Sequence, residues 1–452
     1  MGLASHRSFA VLIALAFVAL GSSARADTLT LQQALGLAYE GNFGLAAGRA
    51  DLRATDENVA KALSGWRPSA SVSGNYGVED NSINQPYPVP GPHPRQFGVT
   101  VTQPIYSPTT IPRTRQAKAD VRVGRARLTS IEAQVLFDAA KAYFDVVQAE
   151  TTLDIQRNHA SLLDKQYQDI QLRFRHGDVT TTDVALVRAR LNSAKAEIAV
   201  AEGQLAASRA AFEQVVGRPP ATLDPAPALP RVGPNEDAAM ELATNTNPDL
   251  LAARERLASA DAASDVASAQ LYPVVSLQGQ YMRSQDQIAR GVSNNVLMAF
   301  AQVQIPIYQG GGEQAEVRRT KELVTSASMQ ARDAETKVRQ NVHTAWQARD
   351  AATRAIALNK EQVEASEAEY KGAEQEVKGG ERTTFDLLTA AQDRLSAQVA
   401  LANSQHDLAI STFQLLGATG ELTAMALKLP VKFYDPVEHY DDNATRWFGF
   451  GK

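Results

Sequence analysis

Hydrophobic and polar positions along the chain follow two periods, and the order of those periods is written twice. Over roughly residues 31–65, Ala34, Ala38 and Leu45 recur at helical spacing; over roughly 236–270, Ala239, Ala243 and Leu250 repeat the pattern. Each segment ends at a proline, Pro68 or Pro273, which cannot continue a helix. The period then drops to two. Ala70, Val72, Gly74, Tyr76 and Val78 alternate with Ser69, Ser71, Ser73 and Asn75. After a polar loop, Phe97, Val99 and Val101 alternate with Gln96, Thr100 and Thr102. The second set is Val275, Leu277, Gly279 and Tyr281 against Ser276, Gln278 and Gln280. Its partner run is Ala299, Ala301, Val303 and Ile305 against Gln302 and Gln304. One apolar and one polar face at period two predicts strands, and each pair of runs predicts a hairpin.

A second proline, Pro104 or Pro306, follows each hairpin, and the longest segments come after it. No proline occurs between Pro112 and Pro219, or between Pro306 and Pro430. Leu136, Ala140, Tyr143 and Val147 in the first segment, and Val338, Val342, Ala345 and Trp346 in the second, recur every three or four residues. From Pro112 to His176 such a helix would extend about 98 Å, too long for a compact domain. Its stripes must bury against neighbouring helices. A glycine turn, Gly177 or Gly379-Gly380, then leads to a further helix.

The two halves are a duplication. Asn42/Asn247, Leu45/Leu250, Pro68/Pro273 and Tyr76/Tyr281 are each 205 residues apart. Pro104/Pro306 and Tyr106/Tyr308 are 202 apart, and Gly177/Gly380, Thr181/Thr384 and Asp183/Asp386 are 203 apart. The expected layout is a first repeat over 27–218, a proline-rich linker over 219–234, a second repeat over 235–429 and a tail over 430–452. The start of the chain reads as an address. Phe9 to Leu20 is an unbroken apolar run, and Ala24-Arg25-Ala26 is a cleavage pattern, which together predict a signal peptide over 1–26.

Composition narrows the class. The chain has 452 residues, 44% apolar and only 6% aromatic, and about one residue in six is alanine. Small side chains let long helices approach closely. There is no cysteine, which excludes disulfides, thiolate metal sites, a cysteine nucleophile and a lipid anchor on cysteine. Net charge is -5, against a basic nucleic-acid footprint, so no nucleic-acid partner is expected. The seven histidines form no metal spacing, and no catalytic motif occurs; neither an enzyme nor a cofactor or metal is expected. No apolar run is long enough for a spanning helix, so any membrane crossing falls to the strands. Four strands cannot close a barrel, which starts at about eight. A membrane role therefore requires two chains, giving eight strands, or three, giving twelve. The alternative is a soluble periplasmic coiled-coil scaffold or adaptor.

These features together resemble the TolC family of outer-membrane efflux and secretion factors. The resemblance rests on the duplicated plan with its strand-to-helix prolines Pro68, Pro104, Pro273 and Pro306, and on the turns Gly177–Val184 and Gly379–Leu388. It also rests on the tail segments Gly420–Ala424, Tyr434-Asp435-Pro436, His439-Tyr440 and Trp447-Phe448-Gly449. The tail is similar to members paired with type I secretion systems. The resemblance implies a mainly α protein with a small transmembrane β-barrel, in which three chains build the barrel and an α-helical tunnel. It implies a homotrimer in the outer-membrane lipid with its helices in the periplasm, served by a periplasmic adaptor and an inner-membrane transporter.

The resemblance also implies a gate. Asp386 matches an acidic residue lining the closed entrance, and Arg382 matches an arginine that links to partners at Asp183 and Thr182. A ring of three carboxylates would favour cations, and like charges would raise one another's pKa. A second acid of the family falls on Thr389, and a supporting tyrosine falls on Val377, so one acidic ring and a looser lock are expected. Arg175, His176, Gly177, Lys378, Gly379, Gly380 and Glu381 are the expected adaptor contacts. The plainer reading is that Arg382 and Asp386 cap and solubilise a helix start.

Overall fold

The computed structural model describes residues 28–78, 93–287 and 291–449. The expected signal peptide and most of the first hairpin loop lie outside these residues. Among the described residues there are nine α-helices and four strands. The first repeat comprises α1 (Leu31–Gly41), α2 (Phe43–Leu63), β1 (Ser69–Tyr76), β2 (Arg95–Tyr106), α3 (Thr110–His176) and α4 (Thr181–Val216). The second comprises α5 (Glu236–Thr246), α6 (Pro248–Ala269), β3 (Val274–Gln285), β4 (Ser293–Gln304), α7 (Gly312–Gly379) and α8 (Thr384–Thr419), and the tail carries α9 (Glu438–Asn443).

Each medium helix is in fact two helices, broken at the same duplicated residue. The Asn42 side chain accepts the Leu45 N–H at 3.0 Å. That of Asn247 accepts the N–H groups of Asp249 and Leu250 at 3.0 and 3.1 Å, with Pro248 at the first helical position. An extended asparagine offering an acceptor to free N–H groups starts a new helix, which the apolar period alone does not reveal. Pro68, Pro104 and Pro273 sit differently from a strand-to-helix role, whereas Pro306 lies between β4 and α7. Pro68 and Pro273 immediately precede β1 and β3. Pro104 lies inside β2, where the pairing with β3 shifts between Pro104 and Tyr106; proline has no N–H to give the ladder. The chain then enters α3 six residues later, with Pro112 tolerated in the first turn. Pro306 follows β4, and Gly310 and Gly311, at φ 69° and 82°, make the bend into α7.

The strands form one antiparallel sheet in the order β1-β2-β3-β4. Its register aligns Val72, Val99, Tyr281 and Leu297 across the sheet, so one face carries apolar residues from all four strands. Ser71, Thr100 and Gln280 align on the other. That polar face is interrupted on β4 by Val296, Met298 and Phe300. Within one chain, β1 and β4 each have an unpaired edge.

Helices α3 and α7 have 67 and 68 residues, about 100 Å of rod each at the usual rise. The pairs α3–α4 and α7–α8 pack side by side, and α3 also packs on α8 and α6. Alanines fully or nearly buried in these seams, such as Ala140, Ala373 and Ala397, allow the close approach. The largest core lies at the waist of α3, where Tyr143, Phe144, Phe212 and Phe413 meet α1 and the tail residues Leu422 and Leu429. Tyr143 is fully buried, and its hydroxyl donates to the carbonyl of Asp224 at 3.0 Å and accepts its N–H at 2.9 Å, fastening the linker to the core.

Candidate functional site

Both long helices end in the same way at the tip far from the sheet. Gly177 and Gly380 are left-handed, at φ 85° and 77°. The Asp178 N–H donates to the Arg173 carbonyl at 3.0 Å, and the Glu381 N–H donates to the Glu376 carbonyl at 2.8 Å. These bonds satisfy the last carbonyls of each helix, a turn that glycine permits without strain. The next helix starts on a capping box in both repeats. Thr180 donates its N–H and hydroxyl to Asp183 at 2.9 and 2.8 Å, and Thr383 does the same to Asp386 at 3.0 and 2.7 Å. Each aspartate N–H donates back to its threonine hydroxyl at 3.2 Å. Two free N–H donors are thereby satisfied at each tip.

The caps set the charge state of both acids. Hydrogen bonds from the Thr383 hydroxyl and N–H, with Arg382 nearby, hold the Asp386 carboxyl below its ordinary value. The Thr180 N–H and hydroxyl, with Arg173 nearby, do the same for Asp183. Bonds to the ionised form favour it. Within one chain this opposes the upward shift expected from a ring of like charges.

The expected gate residues lie together at the tips, but their bonding in one chain differs from the implied lock. Arg382 pairs with Glu376 across its own turn, Nε to Oε2 at 2.8 Å. Asp183 is bonded to Thr180 and Thr182 is exposed; among the described residues, neither bonds to Arg382. Val377 is buried in the seam with Tyr370 and Leu387, and the Thr389 hydroxyl turns back to the Phe385 carbonyl. Lys378 is held by Glu374 at 2.8 Å. Arg175, His176, Gly177, Gly379, Gly380 and Glu381 are exposed. Sequence reasoning missed Glu376. The signal was present: an acid on the last turn and an arginine just past a double glycine face each other across such a turn.

It also missed a strap formed by the tail. The Glu132 carboxylate accepts the Ala424 N–H at 2.7 Å, and the Tyr39 hydroxyl accepts the Tyr434 N–H at 3.1 Å. The Arg49 guanidinium lies between the rings of Tyr39 and Tyr434, at 4.7 and 5.3 Å. His439 meets the buried Asp56 at 3.1 Å. Arg67 donates to the carbonyls of Arg446 and Thr445 and stacks on Trp447. Arg49, Asp56 and Arg67 ascend α2 and its continuation towards β1, so the tail is tied from the waist to the foot of the sheet.

Among the described residues no group of three or more His, Asp or Glu side chains could hold a metal ion, and no helix is long and apolar enough to cross a membrane. The outer membrane efflux protein family model matches residues 34–218 and again 239–421. The chain is 31% identical over 434 residues to the outer membrane efflux protein BepC of Brucella suis, covering 95% of this chain and 93% of BepC. It is 25% identical over 338 residues to the outer membrane protein TolC of Vibrio cholerae, covering 72% of this chain and 76% of that one. Its fold is similar to that of the Campylobacter jejuni CmeC outer membrane channel, with a TM-score of 0.78 at 16% identity over 92% of this chain and 89% of CmeC. A soluble scaffold does not fit this membership. With its doubled repeat, small sheet and long helical rods, the chain belongs to the outer membrane efflux protein family and is an outer-membrane exit duct with its helices in the periplasm.

Proposed function

We propose that three copies of this chain close a twelve-stranded barrel and a continuous helical tunnel, and that the tips open when a periplasmic adaptor and an inner-membrane transporter dock there. The observation that carries this reading is a four-stranded sheet with an apolar face and two open edges, set on rods of about 100 Å. Open edges are not tolerated in lipid, so β1 must pair with β4 of another chain. Three copies bring three Asp386 carboxylates together at the narrow end, where they favour cations. Arg382 then has two candidate partners: Glu376 of its own turn and the Asp183–Thr182 turn of the other repeat. Exchange between them offers a low-cost route from closed to open, because exposed ion pairs are worth only about 0–1 kcal/mol. The exposed turns from Arg175 to Gly177 and from Lys378 to Glu381 are the adaptor contacts. The tail favours pairing with a type I protein secretion system, and efflux of small molecules is the second reading. The pump selects the cargo in either case. Single-channel recording of the purified protein in a planar bilayer tests the proposal. Discrete cation-preferring steps, lost in preference with Asp386→Asn, are expected. Failure to insert, or a cation preference unchanged by Asp386→Asn, refutes it.

A further inference from the structure

The four strands contain two charged residues, Arg95 and Arg283, and no acid. Both arginines fall on the same face and at the same end. Arg95 is opposite Tyr76 on β1, and Arg283 is opposite Phe97 on β2. Tyr76, Phe97 and Tyr281 continue downward into Val72, Val99, Val101 and Leu277, the apolar face of the sheet. That face is the one a barrel turns to lipid. Arg95 is opposite Gln285, two residues from Arg283, so the pair is diagonal across neighbouring strands and within reach of a common ligand. Both side chains are exposed.

Their height is informative. From Val275 to Arg283 is about 27 Å along the strand, or roughly 21 Å along the axis of a barrel with ordinary tilt. An outer-membrane apolar band is about 25 Å tall, so the guanidinium groups reach its outer edge, where headgroups begin. A charge facing hydrocarbon is costly, whereas one at the headgroup level meets anionic oxygens. Strands β2 and β3 are the inner pair, so a neighbouring chain on the β1 or β4 edge leaves this spot uncovered. Neither arginine is in an ion pair among the described residues. Arg95 rests over the Tyr76 ring at 5.6 Å, which orients its donors without using them. The nearest described loop acid, Asp286, accepts the Gly291 N–H at 2.6 Å and closes its own turn.

We propose that Arg95 and Arg283 form a clamp for the phosphate group of a phosphorylated glycolipid in the outer leaflet, of the lipid A class. Planar guanidinium groups match phosphate oxygens two at a time, and the tyrosine and phenylalanine rings below receive the acyl chains. The clamp rests on the barrel reading given above, since only a membrane-spanning sheet brings this face to the leaflet.

The test compares the intact wild-type protein with Arg95→Gln/Arg283→Gln and Arg95→Lys/Arg283→Lys, purified in detergent. Binding of diphosphoryl lipid A, of fully dephosphorylated lipid A and of inorganic phosphate is measured by native mass spectrometry. Wild type should bind diphosphoryl lipid A about a hundredfold more tightly than the double glutamine variant, roughly tenfold for each charged contact. The lysine variant should fall between them. Equal binding by wild type and the glutamine variant overturns the clamp, as does equal binding of the dephosphorylated lipid. Inorganic phosphate bound as tightly as the lipid also overturns it, because the site would then serve a free anion. Single-channel recording on the same preparations separates the two levels. Channels with unchanged lipid binding sink the clamp alone, and absence of channels in wild type sinks the duct beneath it.

Discussion

The ion pair between Arg382 and Glu376 yields a prediction in which two substitutions on one contact act in opposite directions. If Arg382 alternates between Glu376 and the Asp183–Thr182 turn, Glu376→Gln removes the competitor and strengthens the closed state. Arg382→Ser removes the link itself and weakens it. The side chains are 47% and 41% exposed, which places the pair in the lower half of the range for surface ion pairs, about 0.3–0.5 kcal/mol. Three copies acting together sum to about 1–1.5 kcal/mol, a roughly five- to tenfold change in the closed-to-open ratio. The backbone turn should survive, because its bonds run through the Gly380 and Glu381 N–H groups and not through the carboxylate. The assay is the open probability of single channels at fixed voltage and low salt, where exposed pairs are least screened. Glu376→Gln should lower it and Arg382→Ser should raise it. If both substitutions raise it, Arg382 acts only by bracing its own turn, and the exchange is wrong.

Two further outcomes follow from the caps. Asp386 lies below its ordinary value because Thr383 bonds its ionised form, so the cap contribution is present above the ordinary value of 3.8 and is lost as pH falls below it. Cation preference should therefore persist down to about pH 4 in reversal-potential measurements, and its loss near pH 6 would show that repulsion among three copies outweighs the cap. Asn42→Ala and Asn247→Ala remove the same residue of the duplication at different cost. The first loses a cap, about 1 kcal/mol. The second also loses the bond from the Asn247 amide to the Ala418 carbonyl at 2.9 Å, for a total of about 2–4 kcal/mol. Chemical unfolding followed by circular dichroism should show the larger shift for Asn247→Ala; equal shifts would mean that the docking bond contributes nothing.

The parts of this fold that a period can encode were legible in the sequence. The order of elements, the shared apolar face of the strands and the rods follow from spacings of two and of three to four, and the duplication checked each against its copy. The breaks at Asn42 and Asn247 were not legible, because the apolar stripe runs on through them and only the cap geometry separates the helices. The tail strap was hidden for a different reason. Arg49 between Tyr39 and Tyr434, and Asp56 against His439, join residues nearly four hundred positions apart, and no local pattern reports such partners. At the tips, Asp386 and Asp183 were picked out by family resemblance, and Asp386 with Arg382 also as a plain helix start. The structure shows the helix-start bonding of both acids in full, and the proposed gating role rests on a three-copy assembly.

The open edges of the sheet bear on genetics as well as on folding. Each chain can complete its barrel segment only against other chains, so a cell holding two alleles builds mixed assemblies by chance. If half of the chains carry a fault in β1 or β4, about one trimer in eight is free of it by random mixing. A faulty edge would therefore behave as a dominant allele, whereas a chain too damaged to reach the membrane would leave the intact copies to assemble among themselves.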